Sequence, residues 1–311
     1  MTPRRPYAAS VVVPAFEERR RIDYALASLY AQDLAEPFEI IVVASGADGC
    51  AEYLKRMHPE VVVAQEPQRL LPGAARNAGV RQATGEIVAF ASADTRATSN
   101  WLSERLRVHR EGFDLVGGAI LNGTPGSWVG TAGYLLEYSA LLPIQALLEQ
   151  QDIPHALSFR RALFDKAGFY PEDLLTGEDT IFNRRCLSLG LQVGFAPGAG
   201  LFHKNPTRLG EFLGHAAGHG RGLAQCIDRH DLPSAIESLS KAGGLARAWG
   251  ACRYVWAGLT AKYRRLGRYA PGEIPRLAVS TPLILMALAV TAWNASRQPS
   301  EAARPVPVSR R

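Results

Sequence analysis

The sequence predicts an α/β fold: a doubly wound, mostly parallel sheet, followed by a helical C-terminal tail. Short apolar runs at 9–14 (ASVVVP), 39–44 (EIIVVA), 61–64 and 87–90 (IVAF) lack polar alternation, as strands buried on both faces require. Between them lie segments with helical spacing of apolar residues, and strands alternating with helices at this rhythm produce a parallel sheet. At 311 residues and 47% hydrophobic content, the chain can bury a full core and suits one large domain with an appendage.

In order, the strand at 9–14 is stopped by Pro14. A helix follows over 21–30, where Ile22, Leu26 and Leu29 share a face. After the second strand a helix is expected over 46–57, and after the third another over 74–83, with Gly73 at its entrance. The fourth strand is followed by a helix at 100–110, a strand at 115–120, a helix at 162–167 and a strand at 192–195. The segmentation places one domain over residues 8–225 and a basic helical tail over 226–311.

Charge is distributed unevenly. The net charge is +6, yet residues 241–311 carry 12 Lys/Arg against Glu273 and Glu301, which leaves residues 1–240 net negative. Within the tail, 277–293 (LAVSTPLILMALAVTAW) has no charged residue, the lower length limit for a membrane-crossing helix. Arg253, Lys262, Arg264, Arg265, Arg268 and Arg276 crowd its upstream side, which predicts attraction to anionic lipid and places the preceding domain on the cytoplasmic face of the plasma membrane. A buried helix kinked at Pro282 is the alternative. Nucleic acid is not expected as a partner, because the basic residues flank an apolar segment and are not interleaved with aromatics. The four cysteines are widely spaced, so neither a zinc site nor a disulfide framework is expected and a reducing compartment fits. The polar N-terminus does not read as a signal peptide.

The fourth strand runs into a small-residue turn with one acid, Asp94. A carboxylate at the carboxyl end of a buried strand stands where open α/β sheets bind ligands, placed to hold a divalent cation against a phosphate; an N-cap role is the alternative. The first strand leads into Pro14-Ala-Phe-Glu-Glu without GxGxxG, and GxxxxGK[ST] occurs nowhere, which removes dinucleotide and P-loop readings.

Four segments in order, PAFEE, EIIVVASGADG, PGAARNAGVRQATGEIVAFASADT and LSFRRALFDKAGFYPEDLLTGEDTIFNRRC, resemble glycosyltransferase family 2, whose members are inverting GT-A-fold enzymes using nucleotide-sugar donors. The similarity runs from about Ser10 to Arg221. It implies a GT-A domain, a Mg2+ or Mn2+ cofactor held at Asp94, and a hydroxyl acceptor, which the tail makes plausible as lipid-linked and part of cell-envelope synthesis. It also implies that Pro14, Phe16 and Glu18 lie in the nucleobase loop, with the Phe16 ring stacking on the base; a core aromatic is the alternative. Arg76 and Asn77 match the family's ARN element, where a guanidinium pairs with the donor diphosphate. Asp179, ending the GED turn, matches the general base that an inverting transfer needs for the acceptor hydroxyl, with Glu178 orienting a neighbour. His203 matches a histidine that in some members approaches the metal or the diphosphate, although a lone histidine is more often structural. Ser158–Arg161 resembles an element beneath the acceptor pocket, with the arginines either meeting an acidic acceptor or facing solvent. The segment 214–222 (GHAAGHGRG) resembles one lying over the donor site; it lacks the HExxH signature and is not read as a zinc helix.

Two departures stand out. Ser92 occupies a position where the family usually has Asp, which removes one metal or ribose contact, and Ala44-Ser45 replace acids after the second strand. Asp48 is the candidate substitute if the loop shifts. These losses motivate the alternative of an inactive sugar-nucleotide-binding partner protein. No QxxRW element is present, so processive synthesis is not expected.

Overall fold

The computed structural model describes residues 7–144, 157–230 and 244–297. Four parallel strands form one half of the sheet: β1 (Ala9–Phe16), β2 (Phe38–Ser45), β3 (Val62–Glu66) and β4 (Ile87–Phe90), in the spatial order β3-β2-β1-β4. The apolar runs are buried as expected: Val11, Val12, Val13, Ile41, Val42, Val43, Val88 and Ala89 have no accessible surface. The other half is mixed. β7 (Ser158–Arg160) pairs antiparallel with both β4 and β6 (Leu115–Asn122). β8 (Val193–His203) runs parallel to β6, and β5 (Thr95–Ala97) closes the edge antiparallel to β8.

The helices of this domain are α1 (Ile22–Tyr30), α2 (Cys50–Met57), α3 (Pro72–Gln82), α4 (Trp101–Arg110), α5 (Trp128–Tyr138), α6 (Leu163–Ala167), α7 (Glu178–Ser188) and α8 (Leu209–His230). Their boundaries follow local chemistry. α2 begins four residues later than expected because Gly46 and Gly49 take positive φ values of 96° and 76°. α3 begins at Pro72, a residue suited to the first helical position. It also approaches β1 closely: a Cβ on Gly79 would lie 2.2 Å from Val12 Cγ1. α5 starts at a cap in which Ser127 Oγ accepts from the Gly130 N–H. β8 continues eight residues beyond the expected 192–195, through two glycines, to reach His203.

α9 (Gly244–Tyr269) and α10 (Ile274–Ala295) follow α8. The boundary expected at 225/226 falls inside α8, and the tail packs against the domain through α10, which contacts α5, α8 and α9. Trp128 Nε1 donates to the Val279 carbonyl at 3.2 Å and Thr291 Oγ1 to the Ala216 carbonyl at 3.1 Å. Residues 271–295 are, by length and composition, the one described helix able to cross a membrane, although 39% of its most apolar window is buried against protein. Leu277, Ile284, Ala287 and Leu288 face inward, whereas Val279, Met286 and Trp293, spaced by seven, face outward. Residues 231–243 and 298–311 of the tail lie outside the described residues. The cysteines carry free thiols, with Cys50, Cys186 and Cys226 buried and Cys252 exposed.

Candidate active site

The carboxyl ends of β1 and β4, with the segments that follow them, border a cavity of about 330 Å3. Pro14, Phe16, Arg76, Ser92, Tyr138 and His203 line it. A cleft at this end of an open α/β sheet is where ligands are expected.

Phe16 ends β1 and is 37% exposed, which excludes the core-aromatic alternative. The Arg69 guanidinium lies 4.6 Å from its ring centroid. The next residue, Glu17, is held at φ 54°, a left-handed conformation rare outside glycine, with its N–H donating to the Ser45 carbonyl. Glu18 is not part of the lining, and its carboxylate pairs with Arg21 at 2.7 Å. Burial raises the Glu18 carboxyl above its usual range; Arg21 opposes this, and the nearby Asp94 charge adds to it.

Asp94 sits in a network built by sheet register. Thr95 of β5 lies opposite His203 of β8, and the Lys204 N–H donates to the Asp94 carbonyl at 3.1 Å. This brings His203 Nε2 to 3.4 Å from Asp94 Oδ2. Ser92 Oγ donates to Asp94 Oδ1 at 2.6 Å, so the residue standing where the family has a second acid orients the remaining one. Tyr138 Oη lies 3.2 Å from His203 Nε2, and Asn205 Oδ1 lies 3.1 Å from Nδ1. A neutral imidazole whose Nδ1 donates to the Asn205 carboxamide oxygen has its lone pair at Nε2, the nitrogen beside Asp94 and Tyr138. A carboxylate oxygen and an imidazole nitrogen side by side, each steered by an outer hydrogen bond, form a donor set that fits a divalent cation.

Behind Arg76, α7 is entered at Gly177. Its φ is 88°, and a Cβ there would meet Cys226 Sγ at 2.6 Å, so the tight entry to α7 requires glycine. Glu178 and Asp179 occupy the first turn of α7, where the helix dipole favours carboxylates. Glu178 is buried and forms an ion pair with Arg76. The Arg76 guanidinium lies beside the edge-to-face pair of Phe90 and Tyr170, at 5.9 and 5.6 Å from their centroids. Asp179 is 8% exposed, with Oδ1 accepting from the Thr180 N–H. Burial raises the Tyr138 hydroxyl pKa well above its ordinary value, and the charges of Glu137, Asp94 and Asp179 add to the shift.

Three expected contacts are redirected. Asn77 has no accessible surface; its Nδ2 donates to the Tyr170 carbonyl and Glu172, and its Oδ1 accepts from the Tyr170 N–H, so it braces α3 instead of meeting a donor. Asp48 accepts from the Arg19 and Cys50 N–H groups and does not replace the acids missing at Ala44 and Ser45. Arg160 pairs with Glu86 at 3.1 Å and lies opposite Ile87, at the amino end of β4, away from the cleft. Tyr138 and Arg69 were not singled out in the sequence. Tyr138 lies in an apolar stretch that matches no motif, and Arg69 reaches Phe16 across 53 positions of chain.

Comparison with known proteins identifies the lineage. The family model for glycosyl transferase family 2 matches residues 10–168, just over half of the chain. The chain belongs to that family. The chain is 26% identical over 245 residues to the glycosyltransferase AglE of Haloferax volcanii, covering 75% of this chain and 78% of the relative. It is 26% identical over 204 residues to the pre-mycofactocin glycosyltransferase of Mycobacterium tuberculosis, covering 62% and 42%. The fold resembles that of the mannosyltransferase PcManGT of Pyrobaculum calidifontis, solved with GDP-Man and Mn2+ (TM-score 0.58, 21% identity, 92% of this chain and 86% of that one). It also resembles S. aureus TarS 1-349 bound to UDP-GlcNAc (TM-score 0.52, 18% identity, 92% and 90%). The protein is thus a family 2 glycosyltransferase with a GT-A-type mixed α/β sheet.

Proposed function

We propose that this enzyme transfers a sugar from a nucleotide-sugar donor to a hydroxyl acceptor with inversion at the anomeric carbon, Asp179 acting as general base. The observation carrying the proposal is that His203, which lines the cleft beside Arg76, Ser92 and Tyr138, lies 3.4 Å from Asp94, while Arg76 pairs with Glu178, the neighbour of Asp179 in the first turn of α7. The exposed Phe16 face, with Arg69 over it, suits a nucleobase, and Arg76 suits the diphosphate. Glu178 keeps the Arg76 guanidinium in place before donor arrives. Asp179 takes the acceptor proton as the hydroxyl oxygen attacks from the face opposite the departing nucleoside diphosphate. The solved neighbours carry GDP-Man and UDP-GlcNAc, which supports a nucleotide-sugar donor without selecting a base.

Asp94 and His203 would hold Mg2+ or Mn2+, as the Mn2+ in the PcManGT structure also suggests. Such an ion offsets charge on a departing diphosphate. Ser92, hydrogen bonded to Asp94, keeps one oxygen oriented where the family commonly has a second acid.

The acceptor is assigned to the membrane. On α9, Trp249, Arg253, Trp256, Arg264 and Arg268 fall on one exposed face, and Val279, Met286 and Trp293 line the open side of α10. Exposed tryptophans interleaved with arginines match a bilayer interface bearing anionic lipid, on the cytoplasmic side. Residues 8–225 then act as the catalytic domain and the remainder as a membrane-contacting layer, consistent with a lipid-linked acceptor in cell-envelope synthesis.

The test is turnover of a panel of nucleotide sugars with Mg2+ or Mn2+, including slow donor hydrolysis, by wild type, Asp94→Ala and Asp179→Asn. Loss of turnover in both variants supports the assignment. Donor binding without turnover in wild type would instead identify a sugar-nucleotide-binding partner protein, and full activity in Asp179→Asn would remove it as the base. Flotation with phosphatidylglycerol vesicles tests the membrane face; a protein that ignores them overturns that part.

A further inference from the structure

We propose a second metal site, formed by Glu137, His215 and His219, that takes a zinc-class transition-metal ion and clamps α5 to α8. His215 and His219 are four residues apart on α8, so helix geometry places both rings on one face, with centroids 4.6 Å apart. Glu137 reaches them from α5. The segment 214–222 is not read from the sequence as a zinc helix because it lacks HExxH. The four-residue separation of its histidines is nevertheless that of helical metal ligands, and the carboxylate comes from a different helix.

The geometry points to an ion more than to a simple ion pair. His215 Nε2 lies 3.0 Å from Glu137 Oε1 and 3.0 Å from His219 Nε2, and His219 Nε2 lies 3.8 Å from Glu137 Oε1. All ligand atoms of the group fall within 4.8 Å of one another. Zinc bonds of about 2.0–2.2 Å at tetrahedral angles set ligand atoms about 3.3–3.6 Å apart, and the three observed separations bracket that edge. Hydrogen bonding accounts for the arrangement less well. The nitrogen His215 Nε2 faces two neighbours at 3.0 Å and carries at most one proton, so it cannot donate well to both. A cation accepts lone pairs from all three. Two imidazoles and one carboxylate suit zinc or another late first-row divalent metal better than Mg2+, which prefers an all-oxygen shell. Three protein ligands leave a fourth tetrahedral position for water.

This cluster is separate in composition from Asp94 and His203, which belong to the β5–β8 edge. It joins α5, which carries Tyr138, to α8, and α10 packs on both. An ion there fixes the helices that set the Tyr138 side of the cleft against the layer carrying α10.

The test uses the full chain stripped of metal and titrated with Zn2+ by calorimetry, with Co2+ absorption as an independent reading of coordination. Wild type should bind Zn2+ at this site and give the intense visible bands of four-coordinate Co2+. Loss of a mere hydrogen-bonding partner of a metal ligand costs about 10–100-fold in affinity, so His219→Ala, His215→Ala and Glu137→Gln should each weaken Zn2+ binding by at least that factor. Asp94→Ala should retain it. The histidines are substantially exposed, and far-UV circular dichroism checks each variant; the wild-type Co2+ spectrum needs no variant at all. Octahedral-type weak bands, unchanged affinity in His219→Ala, or loss of the same binding event in Asp94→Ala would each overturn the assignment. The last result would mean one shared ion at the donor site.

Discussion

Replacing Glu178 by glutamine tests the pair that prepares the cleft for an anion. Glu178 is almost fully buried, with its side chain 4% exposed, whereas the Arg76 side chain is 24% exposed. Deleting one partner of a buried pair leaves an uncompensated charge, at a cost of about 3–5 kcal/mol. Partial solvation of Arg76 discounts that figure to about 2–4 kcal/mol. Glutamine keeps the shape of glutamate, so no cavity term enters. Urea unfolding at neutral pH should show a lower midpoint with an unchanged m-value. Adding Arg76→Met should recover part of the loss, because it removes the stranded charge, and the double-mutant cycle then isolates the pair. A nucleoside diphosphate should raise the melting temperature of Glu178→Gln more than that of wild type, since the ligand supplies the missing counter-charge. A loss below about 0.5 kcal/mol, a typical surface-pair value, together with no coupling in the cycle, would refute the reasoning.

Other consequences can be measured in the same way. Phe16→Ala removes an exposed stacking surface, so donor KM should rise by the equivalent of about 1–3 kcal/mol with kcat and folding stability nearly unchanged; an unchanged KM would remove Phe16 from the donor site. Gly79→Ala places a methyl 2.2 Å from Val12 Cγ1. The overpacking cost of about 1–3 kcal/mol exceeds the roughly 1 kcal/mol gained in helix propensity, so the melting temperature should fall and Val12→Ala should restore it. Burial holds the imidazole of His109 neutral and lowers its pKa to about 4, with Phe113 O and Ser158 Oγ as its hydrogen-bonding partners. Its folded pKa lies below the unfolded value, so protonation favours unfolding. Stability is fully present above pH 6.5 and falls by about 3 kcal/mol as pH drops toward 4, a dependence that His109→Gln should flatten in urea titrations across that window.

The parts of this molecule legible in the sequence are those set by short-range chemistry. The strand runs around Val12, Val42 and Val88 announce double-faced burial, and Asp94 and Gly177-Glu178-Asp179 announce turns at the ends of elements where chemistry collects. Pairings across the chain were not legible. His203 is expected near the metal only through the family resemblance; it reaches Asp94 because β8 runs on through glycines to pair with β5, and no local pattern signals that extension. Tyr138 enters the cleft on a helix whose composition is that of any buried helix. Arg76 and Asn77 make the point most sharply, since they are adjacent in one motif and on one helix. Successive residues on a helix point about 100° apart, so at most one of two neighbours can face the cleft squarely. Arg76 lines it, and Asn77 is turned inward to satisfy the backbone of Tyr170, 93 residues away. A motif therefore identifies the segment that the fold delivers to a site, while the helical phase decides which of its side chains can do chemistry there.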